Sequence, residues 1–188
     1  MALLDRVKNI LLTPKTEWPK IAEETATAQS IYIGYVMILA AIGPIAMLLR
    51  GSIFGATIAV LSYAIALGIT FLLALIVDAL APTFGAEKNF IQSLKVVAYS
   101  STAVWVAGIF HLLPFLGGLI GLLAAIYTFY TFYLGLPVMK KCPADKVVAY
   151  TIVIVICGFV LGAVLSGVLM STLIGGSMMG MTGLGMMR

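Results

Sequence analysis

Five long apolar stretches, separated by short polar segments, dominate the pattern of the chain. They cover residues 31–49, 53–80, 94–113, 115–136 and 147–169. An α-helix rises about 1.5 Å per residue, so about 20 apolar residues cross the hydrocarbon core of a bilayer. The pattern therefore predicts an all-α polytopic membrane protein, a bundle of five transmembrane helices. Gly43 and Pro44 interrupt the first of them, and a kink is expected there because proline donates no backbone hydrogen bond.

The amino-terminal segment has a different pattern, in which apolar and charged positions alternate at helical spacing. The apolar positions are Leu3, Val7, Ile10 and Leu11, and the polar positions opposite them are Asp5, Arg6, Lys8 and Asn9. This predicts an amphipathic helix at the membrane interface. A second short helix is expected after Pro14, with Trp18 as an interfacial anchor.

Three regions follow from this pattern. Residues 1–30 are an amphipathic cytoplasmic segment, residues 31–170 are the five-helix transmembrane domain, and residues 171–188 are a tail rich in glycine and methionine. The charged residues that precede the first apolar stretch argue against a cleavable signal peptide. We expect the first span to be an uncleaved anchor.

Composition excludes an ordinary soluble domain. Apolar residues make up 62% of the chain and charged residues 10%, whereas soluble domains contain about a quarter charged residues. The net charge of +4 does not indicate a nucleic-acid partner, because the basic residues are scattered in short loops and form no basic face with interleaved aromatic residues.

The basic residues instead indicate an orientation. With five spans, the amino-terminal side of the membrane receives nine of the 11 basic residues: Arg6, Lys8, Lys15, Lys20, Lys88, Lys95, Lys140, Lys141 and Lys146. Cytoplasmic loops are enriched in lysine and arginine. The amino terminus is therefore predicted to be cytoplasmic and the carboxyl terminus to lie on the outer face.

Several short motifs carry a resemblance to a known family. Residues 126–140 read IYTFYTFYLGLPVMK, and the other motifs are LTP at 12–14 followed by Glu17 and Trp18, VAYS at 97–100, and Lys146 followed by Tyr150 and Thr151. Together they resemble the YIP domain family, also called the Rab-interacting protein family, over nearly the whole chain. The resemblance implies five spans, a cytoplasmic amino terminus and no established catalytic residues.

The chain differs from the eukaryotic branch of that family, whose members act with Rab GTPases in vesicle traffic in Golgi and endoplasmic reticulum membranes. It lacks their long amino-terminal cytoplasmic tail, and Ile42, Gly43 and Pro44 are its nearest counterpart of their Asp-Leu-Tyr-Gly-Pro element. The resemblance therefore implies a prokaryotic member in a bacterial inner, or plasma, membrane.

Small residues recur at every fourth position in the fifth span, at Gly158, Gly162 and Ser166, and again at Gly117 and Gly121 in the fourth. Such ridges let helices approach closely in membranes. Two interpretations stay open: packing within one bundle, or a contact between copies in a homo-oligomer.

Asp78 is the only acidic residue within an apolar stretch, and a carboxylate inside a membrane requires a partner or water. One interpretation is a structural ion pair with Lys88, Lys95 or Lys146. The other is a cytoplasmic polar cluster around water that binds a lipid headgroup, a cation or a proton. Its members share one depth in the bilayer: Asp78, Tyr99, Ser100, Ser101, Thr102, Tyr133, Tyr150 and Thr151.

No motif predicts catalysis or a cofactor. His111 stands alone, and Cys142 and Cys157 have no metal-ligand spacing, so no metal centre is expected. The nearest candidates are the thioethers of the tail, which suit Cu(I): Met178, Met179 and Met181. A loose tail resting partly on lipid is the simpler interpretation.

The sequence thus favours a non-enzymatic, membrane-organising or partner-recruiting adaptor. Its expected partners are membrane lipids, a second copy of the chain, and a cytoplasmic or membrane protein. A small transporter or channel for an ion, a proton or a lipid is the first alternative, suggested by Pro44 and Asp78. Copper handling by the outer tail is the second.

Overall fold

The computed structural model describes residues 2–49, 53–113 and 116–185, with the backbone alone described at 53–54, 169–170 and 172–185. Every regular element in these ranges is a helix. The ten α-helices are α1 (Leu3–Leu12), α2 (Pro14–Glu23), α3 (Ala28–Ile31), α4 (Met37–Ala40), α5 (Ile42–Leu48), α6 (Ile53–Leu80), α7 (Phe90–Ser100), α8 (Thr102–Ala107), α9 (Leu116–Lys140) and α10 (Val147–Gly185). A π-helix covers Tyr32–Val36, and 3₁₀ helices cover Ala81–Phe84 and Gly108–Leu112.

These elements form five helical segments that are long and apolar enough to cross a membrane: Ala28–Leu48, Gly55–Phe84, Phe90–Leu112, Leu116–Lys140 and Val147–Val168. The predicted all-α fold with five spans is confirmed. The third span is central, because all eight residues from 93 to 100 are buried. A helix that is buried on every side lies inside the bundle.

The predicted boundaries of two spans are wrong. The third span begins at Phe90, four residues early, because the Asn89 side chain accepts a hydrogen bond from the backbone N–H of Gln92 and caps the helix. The fourth continues through Pro137 to Lys140. The fifth span, Val147–Val168, agrees with the prediction, and its helix continues beyond the span to Gly185.

The first span is interrupted before its proline. The chain leaves regular helix at Ala41, between α4 and α5, three residues before Pro44. Pro44 has no N–H to donate to the carbonyl of Ala40, which explains why the break falls there. At this break Gly43 faces Gly108, and a Cβ at Gly108 would lie 2.8 Å from the Cα of Gly43. The two backbones cross closely because neither residue has a side chain.

The amino-terminal helices dock onto the bundle. Trp18 and Ile21 of α2 are completely buried, together with Ile10 of α1. The indole N–H of Trp18 donates to the carbonyl of Thr131 at 3.1 Å, and a Cβ at Gly135 would come within 2.8 Å of the indole. The prediction that Trp18 is an interfacial anchor is therefore wrong. Its ring fills a niche on α9 where only glycine leaves enough room.

Candidate functional site at the amino-terminal end of the bundle

A buried ion pair joins three spans at the end of the bundle where α1 and α2 dock. The Lys140 ammonium donates to Oδ1 of Asp78 at 2.9 Å and to the carbonyl of Asn89 at 3.1 Å. Ser93 donates a further hydrogen bond to the same carboxylate at 3.1 Å. The Lys140 side chain is 0% exposed, so its charge depends on these contacts.

The expectation of an ion pair for Asp78 is confirmed, but all three candidate partners are wrong. The difference has one structural cause, which is that Pro137 does not end the fourth span. Because α9 continues one turn beyond it, Lys140 comes from the helix and reaches inward.

A second polar network holds the amino-terminal helices in place. The Arg6 guanidinium, only 5% exposed, donates to Glu17 at 2.6 Å and also to Glu24. Lys95 of the central helix donates to the backbone carbonyls of Ile21 and Glu24. The last carbonyls of a helix lack partners within it, so the Lys95 ammonium caps the carboxyl end of α2.

Two aromatic rings lie beneath Arg6. Tyr35 and Tyr99 pack edge to face with centroids 4.5 Å apart, and the Arg6 guanidinium carbon is 5.7 Å from the Tyr99 centroid. The Tyr35 hydroxyl is 2.6 Å from Oγ1 of Thr102. Tyr35 lies in the π-helix, an element found often at functional sites.

A polar pocket of about 590 Å³ opens between these groups and the start of the first span. We call it the amino-terminal pocket. Its lining comprises Leu3, Arg6, Glu23, Glu24, Thr25, Ser30, Gly34, Tyr35 and Tyr99. Both signs of charge and two tyrosines therefore face one cavity, so the arrangement can hold a small polar ligand.

The residues of the predicted cytoplasmic polar cluster divide among separate contacts. Tyr99 lines the amino-terminal pocket, and Thr102 contacts Tyr35 beside it. Tyr150 donates to the carbonyl of Val77, next to Asp78. The eight residues thus do not form one connected hydrogen-bonded group within the described part of the chain.

Four further members of the cluster have local roles or none. Ser101 and Thr151 donate to carbonyls four residues earlier in their own helices. The Ser100 hydroxyl is buried without a partner among the described residues. Tyr133 is 41% exposed on the outside of α9. The idea of a water-filled cluster that includes these residues stays a prediction.

The small-residue ridge of the fifth span lines an apolar groove of about 490 Å³ between α9 and α10. Gly158, Gly162 and Ser166 contribute to this groove. A Cβ at Gly162, or at Gly121 on α9, would meet nothing within 4 Å. Contact with a second copy at this ridge stays a prediction.

Gly117 is different from these open glycines. A Cβ there would lie 2.7 Å from the carbonyl oxygen of Phe110, so close approach inside the bundle explains this glycine.

The remaining site prediction concerns Met178, Met179 and Met181, whose side chains lie outside the described residues. Among the residues that are described, no group of three or more His, Cys, Asp or Glu side chains forms a metal site.

The placement of Arg6 on the polar side of α1 is wrong, since the side chain is buried. Glu17 was not predicted as a site residue, and Lys95 was named only as a partner for Asp78, although a signal existed for Arg6 and Glu17. Arg6 lies three residues after Leu3 and four before Ile10, on the apolar face of α1. Glu17 lies beside Trp18 and four residues before Ile21, on the apolar face of α2. A charged residue on the apolar face of each of two neighbouring helices indicates a buried pair.

The chain has five helices that are long and apolar enough to cross a membrane, and buried ion pairs lie at one end of the bundle. These features define an all-α polytopic integral membrane protein. The family model of the Yip1 domain matches residues 8–166, so the chain belongs to the Yip1 domain family. No curated protein matches the chain. No solved structure matches it either.

Proposed function

We propose that this Yip1-domain protein is a non-enzymatic, membrane-organising adaptor of a bacterial inner membrane. In this proposal the α1–α2 hairpin lies on the cytoplasmic face and recruits a partner. The main support is the docking of this hairpin: Arg6, Trp18 and Ile21 attach it to the bundle, and its opposite face is exposed. A surface that is already ordered loses little conformational entropy when a partner binds.

The exposed face of the hairpin carries charges of both signs, at Asp5, Lys8, Lys15, Lys20 and Glu23. Mixed charges of this kind favour recognition of a complementary protein surface.

The cytoplasmic orientation rests on the nine basic residues of the amino-terminal side. A reporter fused after Arg188 is expected outside the cytoplasm, and a cytoplasmic reporter would overturn the orientation.

The recruiting role is tested by site-specific photo-crosslinking in native membranes. A photo-reactive residue at Lys15 reports the hairpin, and one at Val160, which is 56% exposed on α10, reports the lipid-facing surface. We expect a defined protein adduct from position 15 and none from position 160. Equal adducts from both positions would contradict a recruiting hairpin.

The docking itself is tested with a pair of glycine substitutions. Gly135→Leu displaces the Trp18 ring, whereas a side chain at Gly118, also on α9, meets nothing within 4 Å. The adduct from position 15 is expected to disappear in Gly135→Leu and to persist in Gly118→Leu. An unchanged adduct in Gly135→Leu would show that docking is irrelevant to recruitment.

The transporter alternative has less support, because the carboxylate that suggested it is held by Lys140 and Ser93. A proton-carrying acid has to exchange its proton during transport, whereas this one is held in a buried ion pair. Proton-dependent flux in proteoliposomes would favour the transporter over the adaptor.

A further inference from the structure

We propose that the amino-terminal pocket binds the headgroup of a phosphatidylethanolamine-type membrane lipid, with the phosphate at Arg6 and Tyr99 and the primary ammonium at Glu23 and Glu24. This inference does not depend on the adaptor role. It rests on the depth of the pocket, on the order of its charged groups, and on an open position at Gly34.

The pocket lies at the depth of lipid headgroups. Glu23, Glu24 and Thr25 precede the first span, which starts at Ala28, whereas Gly34 lies in the second turn of that span. The pocket therefore crosses the boundary between the aqueous surface and the hydrocarbon core, where phosphate and glycerol groups are found.

The inner end of the pocket suits a phosphate. A guanidinium has five N–H donors, and Arg6 uses only two nitrogens on Glu17 and Glu24, which leaves donors for a further anion. Tyr99 also faces the pocket, is 9% exposed, and its hydroxyl has no hydrogen bond within the described part of the chain. Lys95, buried nearby, adds positive potential.

The outer end suits a primary ammonium. Glu23 and Glu24 lie at the carboxyl end of α2, where the helix dipole also favours a cation. In the ethanolamine headgroup the phosphate is attached to glycerol and the ammonium extends outward, so the ligand presents its charges in the same order as the pocket. The charged lining consists of Arg6, Glu23 and Glu24, so a ligand that carries both signs of charge finds a partner for each.

The same groups distinguish this headgroup from two others. A primary ammonium donates hydrogen bonds to carboxylates, whereas the trimethylammonium of phosphatidylcholine has no N–H and prefers aromatic cages. Phosphatidylglycerol has no cation for the two glutamates. The volume of about 590 Å³ lies within the usual range for small-ligand pockets.

Gly34 provides a sharp test, because it lines the pocket and a Cβ there would meet nothing within 4 Å. Gly34→Leu should therefore fill the pocket without disturbing the bundle. Gly68→Leu is the matched control, since Gly68 is also a helical glycine with open space but does not line the pocket. Thermal unfolding of both variants checks that they remain folded.

The experiment measures lipid retention by native mass spectrometry of the purified full-length chain, supplied with phosphatidylethanolamine, phosphatidylcholine and phosphatidylglycerol of identical acyl chains. We expect phosphatidylethanolamine to be preferred about tenfold, which corresponds to about 1.4 kcal/mol. Gly34→Leu should abolish the preference and Gly68→Leu should keep it. Equal retention of the three lipids by the unmodified chain, or an unchanged preference in Gly34→Leu, would overturn the proposal.

Two further arms make the result specific. Tyr99→Phe removes one hydroxyl and keeps the ring, and should lower the retention of all three lipids about fivefold without changing the preference among them, because all three carry the phosphate. Unchanged retention in this variant would contradict the assigned phosphate position. Soluble glycerophosphoethanolamine is added as a competitor, and displacement of the lipid at equimolar concentration would overturn a membrane lipid as the ligand in favour of a soluble compound.

Discussion

Replacement of Asp78 by asparagine keeps the shape of the side chain but leaves the Lys140 ammonium buried without an anion. At the observed separation of 2.9 Å, the attraction between the two charges is about 6 kcal/mol for an effective dielectric constant of about 20. The carbonyl of Asn89 and the new amide retain part of this energy. We therefore expect the free energy of unfolding to fall by about 3–5 kcal/mol, the usual effect of removing one partner of a buried pair.

The assay is reversible unfolding of the purified chain in detergent micelles, with Asp145→Asn as the control, because Asp145 is exposed in the loop between α9 and α10. The double variant Asp78→Asn, Lys140→Met removes both charges and should recover most of the loss. Together with Lys140→Met alone it completes a double-mutant cycle, whose coupling energy should be at least about 2 kcal/mol. A free energy of unfolding for Asp78→Asn within about 0.5 kcal/mol of the control would show that the ion pair does not stabilise the fold.

Two other predictions follow from the packing. Gly108→Ala should destabilise the protein by about 1–3 kcal/mol, because the new Cβ would lie 2.8 Å from the Cα of Gly43. Gly118→Ala is the control, since a Cβ at that position meets nothing within 4 Å and should not destabilise the protein. Equal melting temperatures of the two variants would contradict the close crossing. In a Cys157→Ser background, Cys142 should react with maleimide much more slowly than glutathione does at neutral pH, and its rate should increase as the pH rises. The reason is that burial, and then the nearby Asp145 charge, raises the pKa of the Cys142 thiol. A rate equal to that of glutathione would contradict this burial.

The spans were predictable because the length of an apolar run is set by the thickness of the bilayer. Residues 53–80 were predicted as a helix, and α6 has these bounds. The fourth span was predicted too short because Pro137 was taken as a terminator. A proline removes the hydrogen-bond donor of one carbonyl, four residues earlier, which here is the carbonyl of Tyr133. The helix tolerates this loss because α9 is packed against the bundle both before and after the proline.

The candidate site was less predictable because its contacts join distant parts of the sequence. The cost of a lone carboxylate in a membrane was enough to predict an ion pair for Asp78, but it did not identify Lys140. The close crossing of Gly43 and Gly108 has no sequence signal at all, since many glycines stand at helical positions here. Which two of them meet depends on the tilt and rotation of both spans.

The docking of Trp18 also has a consequence for biosynthesis. Its niche is made by Gly135 and the carbonyl of Thr131, which lies 113 residues further along the chain. At a translation rate of about 5–20 residues per second, roughly 6–23 s separate synthesis of the tryptophan from synthesis of its niche. During that interval the ribosome-bound chain has an amino-terminal hairpin whose indole is not yet covered. We therefore expect the bilayer surface or a chaperone to shelter this hairpin until the fourth span has been inserted.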